Sequence, residues 1–146
     1  MISFPKSALR VVTVVYALLL TVVSLLPSGG ALGGWDEDIS PSLQNLLHVP
    51  AYALLVVLAA AWDSSHSAGA GRIVLISLIC WVFAMVLEVA QSWIPGRSAS
   101  LADALFNSIG ALVGCGILMG WHLTRRAPER PMAARPTASG TERTAQ

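Results

Sequence analysis

The sequence predicts an all-α integral membrane protein: a four-helix bundle with both termini on the cytoplasmic side, followed by a disordered C-terminal tail. Its 146 residues are 55% hydrophobic and only 12% charged, and its mean hydropathy is +0.67. A soluble domain carries about a quarter charged residues, and a disordered chain is poor in hydrophobic ones. The composition excludes both classes. Four long apolar runs, and the Lys and Arg residues around them, supply the rest of the prediction.

The first apolar run covers about residues 9–26, and Lys6 and Arg10 flank its start. A helix needs roughly 20 apolar residues to cross about 30 Å of hydrocarbon, so this run is long enough to span a membrane. A cleaved signal peptide also has a basic start and an apolar middle. The run is longer than the apolar part of most signal peptides and no small-residue cleavage motif follows it. A retained span is therefore favoured over a cleaved one.

Three further apolar runs cover about residues 46–62, 73–91 and 101–121. The prediction places Pro50 in the first turn of the second span, where a missing N–H costs little. Stretches rich in Gly, Pro and Ser separate the runs and predict loops. Each run is predicted to be a helix, because a helix satisfies its own backbone hydrogen bonds in lipid.

The orientation follows from the short flanking segments, because Lys and Arg are more frequent on the cytoplasmic side. Basic residues occupy the N-terminal flank, the loop between spans two and three, and the C-terminal flank: Lys6, Arg10, Arg72, Arg125, Arg126 and Arg130. The loop between the last two spans has only Arg97, and the loop between the first two has no basic residue. Residues 1–121 are therefore predicted to be one N-in/C-in, multi-pass domain of the cytoplasmic (inner) membrane. Residues 122–146 are predicted to be its disordered basic tail.

Strongly polar residues within the predicted membrane zone all fall toward its outer face. They open the second and fourth spans, close the third span, and occupy the loop between the last two: His48, Tyr52, Glu88, Gln91, Arg97, Asp103 and Asn107. An ionised carboxylate in lipid costs at least about 2.5 kcal/mol. Glu88 should therefore be paired, hydrogen-bonded or protonated, and Arg97 and His48 are the cations available to it.

This constellation predicts a small acid/base and anion site. His48, Glu88 and Asp103 are the candidate catalytic groups, because imidazole and carboxyl groups transfer protons. The candidate ligand-binding residues are Tyr52, Gln91, Arg97 and Asn107. The alternative is a polar clasp, in which these side chains tie the helix ends together and perform no chemistry. The sequence has no glycine-rich phosphate loop, zinc-binding motif or nucleophile elbow, so no cofactor, metal or nucleic-acid partner is expected.

Small residues form a stripe along the fourth span. Asp103, Asn107, Gly110 and Gly114 follow one another at spacings of four, three and four residues, which places them on one helix face. Glycines at such spacing let helices approach closely. If they face a neighbouring helix, Asp103 and Asn107 point into the bundle with them. The same face permits a homo-oligomer through Gly110 and Gly114.

The polar residues resemble the motif of the VanZ-like family, a group of small four-span membrane proteins of the cell envelope. The matching elements are His48-x-x-x-Tyr52, Glu88-x-x-Gln91, Pro95-Gly96-Arg97, Asp103, Asn107 and Gly110. The family often has an acidic residue followed by Lys just before its histidine, and Gln44-Asn45 occupy that stretch here. The best-known member is associated with low-level teicoplanin resistance, so the resemblance implies an envelope protein with a link to glycopeptide resistance. It implies no established reaction, and whether the protein is an enzyme stays open.

Two functions follow as predictions. In the first, the outer polar site binds a lipid headgroup or a lipid-linked envelope precursor: Arg97 holds a phosphate, His48 or Glu88 moves a proton, and Asp103 with Asn107 orients them. In the second, the protein is a structural or assembly subunit of a membrane complex with no chemistry of its own. A transporter is disfavoured, because a pathway needs polar groups through the inner half as well.

Overall fold

The computed structural model describes residues 6–26, 40–62, 69–94 and 100–126, and these contain four helices. They are α1 (Lys6–Leu25), α2 (Pro41–Ala61), α3 (Ala70–Gln91) and α4 (Leu101–Arg126). All four are long and apolar enough to cross a membrane. No strand occurs in the described ranges, so the predicted all-α, four-span fold is confirmed.

The contacts between helices show an up-down-up-down bundle. Thr13, early in α1, donates a hydrogen bond to the carbonyl of Leu58, late in α2, so these two helices are antiparallel. The end of α3 meets the end of α1, where Gln91 Nε2 donates to the Ser24 carbonyl at 3.0 Å. We name the end of the bundle that holds Leu25, Pro41, Gln91 and Leu101 the distal end, and the opposite end, which holds both described termini, the proximal end.

Helix α2 begins earlier than the apolar run indicates. Ser40 caps it by accepting a hydrogen bond from the backbone N–H of Leu43 at 3.3 Å, and Pro41 occupies the first turn. Both are strong helix-start signals. The predicted position of Pro50 in the first turn is therefore wrong: Pro50 lies inside the helix. Its missing N–H leaves the helix one backbone hydrogen bond short at this level.

Helix α4 also extends beyond the predicted span, from residue 121 to Arg126. The added turn carries Arg125, whose guanidinium stacks over the Trp121 ring at 4.5 Å from its centroid. Arg10 at the start of α1 lies over Trp62 at 6.0 Å in the same way. Such pairs suit a membrane boundary, where an aromatic body and a charged tip are both accommodated. The tail after Arg126 lies outside the described residues, and so does the acidic run Asp36-Glu37-Asp38 between the first two helices.

The core is small and the outer faces are apolar. Its centre consists of Tyr52, Leu55, Val56, Cys80, Ala84 and Ala111. Long aliphatic side chains such as Leu18, Val86 and Leu112 are more than half exposed. A soluble protein rarely exposes so much contiguous apolar surface, whereas a lipid solvent accepts it. Cys80 is buried and Cys115 half-buried, and both are free thiols.

The glycine face of α4 packs against α2 of the same chain. A Cβ added to Gly110 would lie 2.8 Å from the Val49 carbonyl oxygen, and one added to Gly114 would lie 2.8 Å from that of Ala53. The predicted orientation of this face toward a neighbouring helix is confirmed. The predicted homo-oligomer through Gly110 and Gly114 is not supported, because α2 already fills the space that a second copy would need.

Candidate functional site

The buried polar side chains differ in how polar they are and in which half of the bundle they occupy. Thr13 and Ser77 lie toward the proximal half, and each donates its hydroxyl to a carbonyl one turn earlier in its own helix, at 2.8 Å. Hydroxyls bonded in this way are common inside helices and carry little polarity outward. Among the described residues the strongly polar buried side chains are Glu88, Gln91 and Asn107, and all three lie in the distal half. We call these three, with His48, Tyr52 and Asp103, the distal polar cluster.

Glu88 joins the end of α3 to the start of α4. Its carboxylate is 6% exposed and accepts a hydrogen bond from the Ser100 backbone N–H at 2.6 Å. The Ser100 hydroxyl in turn accepts from the backbone N–H of Ala102 at 3.2 Å and of Asp103 at 3.5 Å. In a capping box the third helical residue supplies the carboxylate for the N-cap N–H. Here Glu88 of another helix supplies it, so the carboxylate helps to position α4.

Gln91 and Tyr52 meet at Ser24, which the sequence analysis did not select. The Ser24 carbonyl accepts a hydrogen bond from Gln91 Nε2, and its side chain is hydrogen-bonded to that of Tyr52. Tyr52 is 3% exposed and lies close enough to Glu88 for the two groups to interact electrostatically. Helices α1, α2 and α3 are therefore linked by side-chain hydrogen bonds at this level. Strongly polar groups concentrate at the distal end of the bundle.

His48 lies deeper than the sequence predicts. Its carbonyl oxygen would lie 3.1 Å from a Cβ on Gly110, a residue about 13 Å below the start of α4. His48 therefore lies about two turns into α2 and not at its opening, because α2 begins early, at Pro41. His48 Nδ1 is 3.0 Å from the Gln44 carbonyl oxygen. A carbonyl only accepts, so Nδ1 carries the proton and Nε2 of the neutral ring is left as the proton acceptor.

The His48 ring also stacks on Tyr52, with centroids 6.2 Å apart and planes inclined by 19°. Ring stacking on one side and the Nδ1 hydrogen bond on the other fix the imidazole orientation. An imidazole with a fixed tautomer and orientation is suited to accept a proton at a defined position. The half-buried ring remains partly accessible.

Asn107 carries an unsatisfied polar atom. Its side chain is 1% exposed, and among the described residues no donor reaches its Oδ1 oxygen. Leaving a buried acceptor unpaired costs about 1–3 kcal/mol. The predicted inward orientation of Asn107 is thus confirmed, and the orphaned oxygen marks a place where a donor from a ligand or a water molecule gains a full hydrogen bond.

The structure brings most of the predicted site residues to one end of the bundle. Tyr52, Glu88, Gln91 and Asn107 are buried there, and His48 and Asp103 are half-buried. Arg97, the predicted phosphate ligand, lies outside the described residues. No group of three His, Cys, Asp or Glu side chains within the described ranges could hold a metal ion. The chemistry that this set offers is hydrogen bonding, proton transfer and the binding of a charged group.

Ser100 and Ser24 were not predicted to belong to the site, and only Ser100 carries a sequence signal that could have identified it. Ser100 stands three residues before Asp103 at the start of an apolar run, and that S-x-x-D spacing is typical of a helix N-terminus. Ser24 is a single weakly polar residue in a long apolar run, and no sequence pattern distinguishes it from a lipid-facing serine.

The comparisons with known proteins agree with this architecture. The model of the VanZ/LLP1 family matches residues 9–123, which include all four helices apart from the first three and last three helical residues. The comparison with curated proteins and that with solved structures gave no match.

Proposed function

The chain belongs to the VanZ/LLP1 family of membrane proteins, and from that premise we propose that its distal polar cluster binds the headgroup of a membrane lipid or of a lipid-linked envelope precursor. The observation that carries the proposal is the orphaned Asn107 oxygen beside a bundle end that also buries Glu88 and Gln91. Buried polar groups in a membrane bundle are costly, so a ligand is the usual reason to keep them.

The proposal assigns each residue of the site a role that its side-chain chemistry allows. Arg97 in the loop before α4 supplies a guanidinium, which pairs with phosphate through two parallel hydrogen bonds. Asn107 accepts from a hydroxyl or ammonium of the headgroup, and His48 Nε2 is the proton acceptor if binding is followed by reaction. Asp103 and Tyr52 orient the ligand. The outer face is the location proposed for this cluster, since the Lys and Arg pattern puts the proximal end inside.

The family resemblance adds an envelope context. The VanZ-like resemblance implies a protein of the cell envelope whose best-known relative is associated with low-level teicoplanin resistance. A link to teicoplanin resistance is therefore part of the proposal.

Binding of phospholipids to the purified full chain tests the proposal. We expect the Arg97→Ala variant to bind phosphatidylglycerol at least about tenfold more weakly than the wild type, a loss of at least about 1.4 kcal/mol, because it loses both charge-assisted hydrogen bonds of the guanidinium. Arg125→Ala is the matched control, because it removes one guanidinium from the proximal end. Equal binding by Arg97→Ala and the wild type would refute a phosphate site at the distal end.

A structural or assembly role is the second candidate, and the hydrogen bond from Ser100 to Glu88 favours it. In this account the carboxylate fixes the start of α4, and the fixed bundle presents its outer faces to partner proteins. Native mass spectrometry from mild detergent extracts distinguishes the two. A defined protein complex that Glu88→Gln disrupts supports the assembly role, whereas lipid adducts on a monomer support the headgroup site.

A further inference from the structure

The unpaired Asn107 oxygen and the His48 ring lie at one level between α2 and α4. Gly110, about one turn below Asn107 on the same helix face, would place a Cβ 3.1 Å from the His48 carbonyl oxygen. The imidazole extends from there toward the distal end, because its Nδ1 is 3.0 Å from the carbonyl oxygen of Gln44, one turn earlier in α2. Since α2 and α4 run in the same direction, the ring reaches the level of Asn107.

Acceptor atoms come together at this level. The Asn107 Oδ1 oxygen can only accept, and no donor among the described residues reaches it. His48 Nε2 is an acceptor because Nδ1 carries the ring proton. The Asp103 carboxylate, one turn above Asn107 on the same face of α4, also accepts. A primary ammonium matches such a set, because it has three N–H donors and no acceptor, whereas a hydroxyl has one donor and two lone pairs.

The charges of the distal half favour a cation at the same position. Among the described residues, this half contains the carboxyl groups of Glu88 and Asp103 and no Lys or Arg side chain. The basic residues of the described helices all lie toward the proximal end: Lys6, Arg10, Arg72, Arg125 and Arg126. Two helices begin and two end at the distal end, so their dipoles largely cancel there. The carboxylates therefore determine the local charge, and they attract a cation more strongly inside the bundle than they would in water.

Polar side chains lie between the distal end and the level of Asn107 on both helices. Asp103 lies about 3 Å and Asn107 about 9 Å below the start of α4. On α2, Gln44 and Asn45 in the first two turns are half-buried, as are His48 and Asp103. A charged group that enters between these helices from the headgroup layer therefore meets polar partners on both sides, which lowers the cost of its desolvation.

We propose that Asn107 Oδ1, His48 Nε2 and the Asp103 carboxylate form a position for a primary ammonium group, and that the headgroup bound by the distal polar cluster is a zwitterionic one, phosphate joined to ethanolamine. This inference rests on the proposed headgroup site and names its ligand class. The ammonium donates to the two neutral acceptors, and the carboxylates of Asp103 and Glu88 balance its charge. A trimethylammonium has the same charge but no N–H, and a glycerol headgroup has hydroxyls but no cation, so each satisfies only part of the position.

Competition between lipids for the delipidated full chain, measured by native mass spectrometry, tests the inference. Dioleoyl-phosphatidylethanolamine, dioleoyl-phosphatidylcholine and dioleoyl-phosphatidylglycerol share their phosphate and chains and differ only in the group beyond the phosphate. We expect the wild type to retain phosphatidylethanolamine at least about tenfold more than either of the others, the effect of one charge-assisted hydrogen bond. Equal retention of the three lipids, or a preference for phosphatidylcholine or phosphatidylglycerol, overturns the inference.

Two variants connect the preference to the position. Asn107→Leu should abolish it, because the substitution removes the acceptor and keeps the approximate size of the side chain. Ser77→Ala is the matched control, since this buried hydroxyl lies in the proximal half and is bonded to the Ile73 carbonyl of its own helix. Asp103→Asn removes a charge at a half-buried position with little change in shape, and it should reduce the preference over phosphatidylglycerol severalfold even if Asn107→Leu fails to fold. A preference that survives the substitutions at Asn107 and Asp103 refutes the ammonium position.

Arg97→Ala separates this inference from the proposal on which it rests. All three lipids carry the phosphate, so this variant should weaken each by the same factor and leave the preference intact. If it does so but the wild type shows no preference, the headgroup site stands and the ammonium position fails. If it changes nothing while a preference that depends on Asn107 persists, the ammonium position stands and the phosphate contact fails.

Soluble ethanolamine in excess distinguishes a lipid headgroup from a free amine as the source of the ammonium. We expect it to leave phosphatidylethanolamine bound, because the free amine lacks the phosphate. Displacement of the lipid by ethanolamine would keep the ammonium position and overturn its assignment to a phospholipid.

Discussion

Asn107 shows most clearly, at the scale of single residues, that the bundle is not optimised for stability alone. A buried amide oxygen without a donor among the described residues weakens the fold, and an apolar side chain of similar size would remove that cost. Thr13 and Ser77 are also buried, but both are hydrogen-bonded, so they need no functional explanation. This contrast is the reason for proposing Asn107 as a ligand-binding residue.

The Asn107→Leu variant should therefore unfold at a higher temperature than the wild type, by a few degrees, and bind phospholipid more weakly. The stability gain follows from removing an unpaired acceptor, and the binding loss from removing a ligand contact. Thermal unfolding in one detergent, with and without phosphatidylglycerol, measures both. A lower unfolding temperature would show that Asn107 stabilises the bundle and would remove it from the binding site.

The α2–α4 contact dominates at the scale of elements, and it depends on two glycines. Gly114→Ala should lower the stability by about 1–3 kcal/mol, because its Cβ would meet the Ala53 carbonyl and the Val56 side chain at 2.8 Å. Gly116→Ala is the matched control on the same helix, since nothing lies within 4 Å of its Cβ position.

Chemical denaturation in mixed micelles measures the difference between the two glycine variants. Equal stability of Gly114→Ala and Gly116→Ala would contradict the close packing of α4 on α2.

The presence of the four helices was predictable from the sequence, whereas the residues at which they begin and end were harder to predict. Hydropathy locates the part of a helix that lipid surrounds, and this determined all four spans. The ends lie at the interface, where capping residues decide instead. Ser40 with Pro41 extends α2 toward the distal end, and the Arg125–Trp121 pair accompanies the last turn of α4. The early start of α2 is also the reason that His48 lies about two turns into the helix and not at its opening.

Much of the distal polar cluster, at the scale of the whole molecule, was predictable because charge and amide groups are rare in lipid-facing segments. Glu88, Gln91 and Asn107 stand out against an apolar background, and all three are buried. Their partners were not predictable. The links through Ser24 and Ser100 depend on which helices are neighbours and on their register, and no spacing within one helix contains that information.

The proposed orientation, with the distal end outside the cell, can be tested separately by cysteine labelling. In a background where Cys80 and Cys115 are serine, Trp93→Cys at the distal end should react with a membrane-impermeant maleimide on intact cells. Gly69→Cys at the proximal end should react only after the membrane is permeabilised. Both positions lie at helix ends, and Trp93 is 80% exposed. The opposite labelling pattern would place the distal polar cluster on the cytoplasmic side.

The central claim is that the distal polar cluster, which includes Glu88, is kept for a ligand, and thermal unfolding of Glu88→Gln with and without lipid tests it most directly. Gln retains an oxygen that can accept the hydrogen bond from Ser100 N–H, so the substitution removes the charge with little change in shape. Our account predicts that this variant unfolds at the wild-type temperature or above it, and that phosphatidylglycerol no longer stabilises it. An unfolding temperature several degrees lower, with undiminished stabilisation by the lipid, would contradict the account and make Glu88 part of a structural clasp.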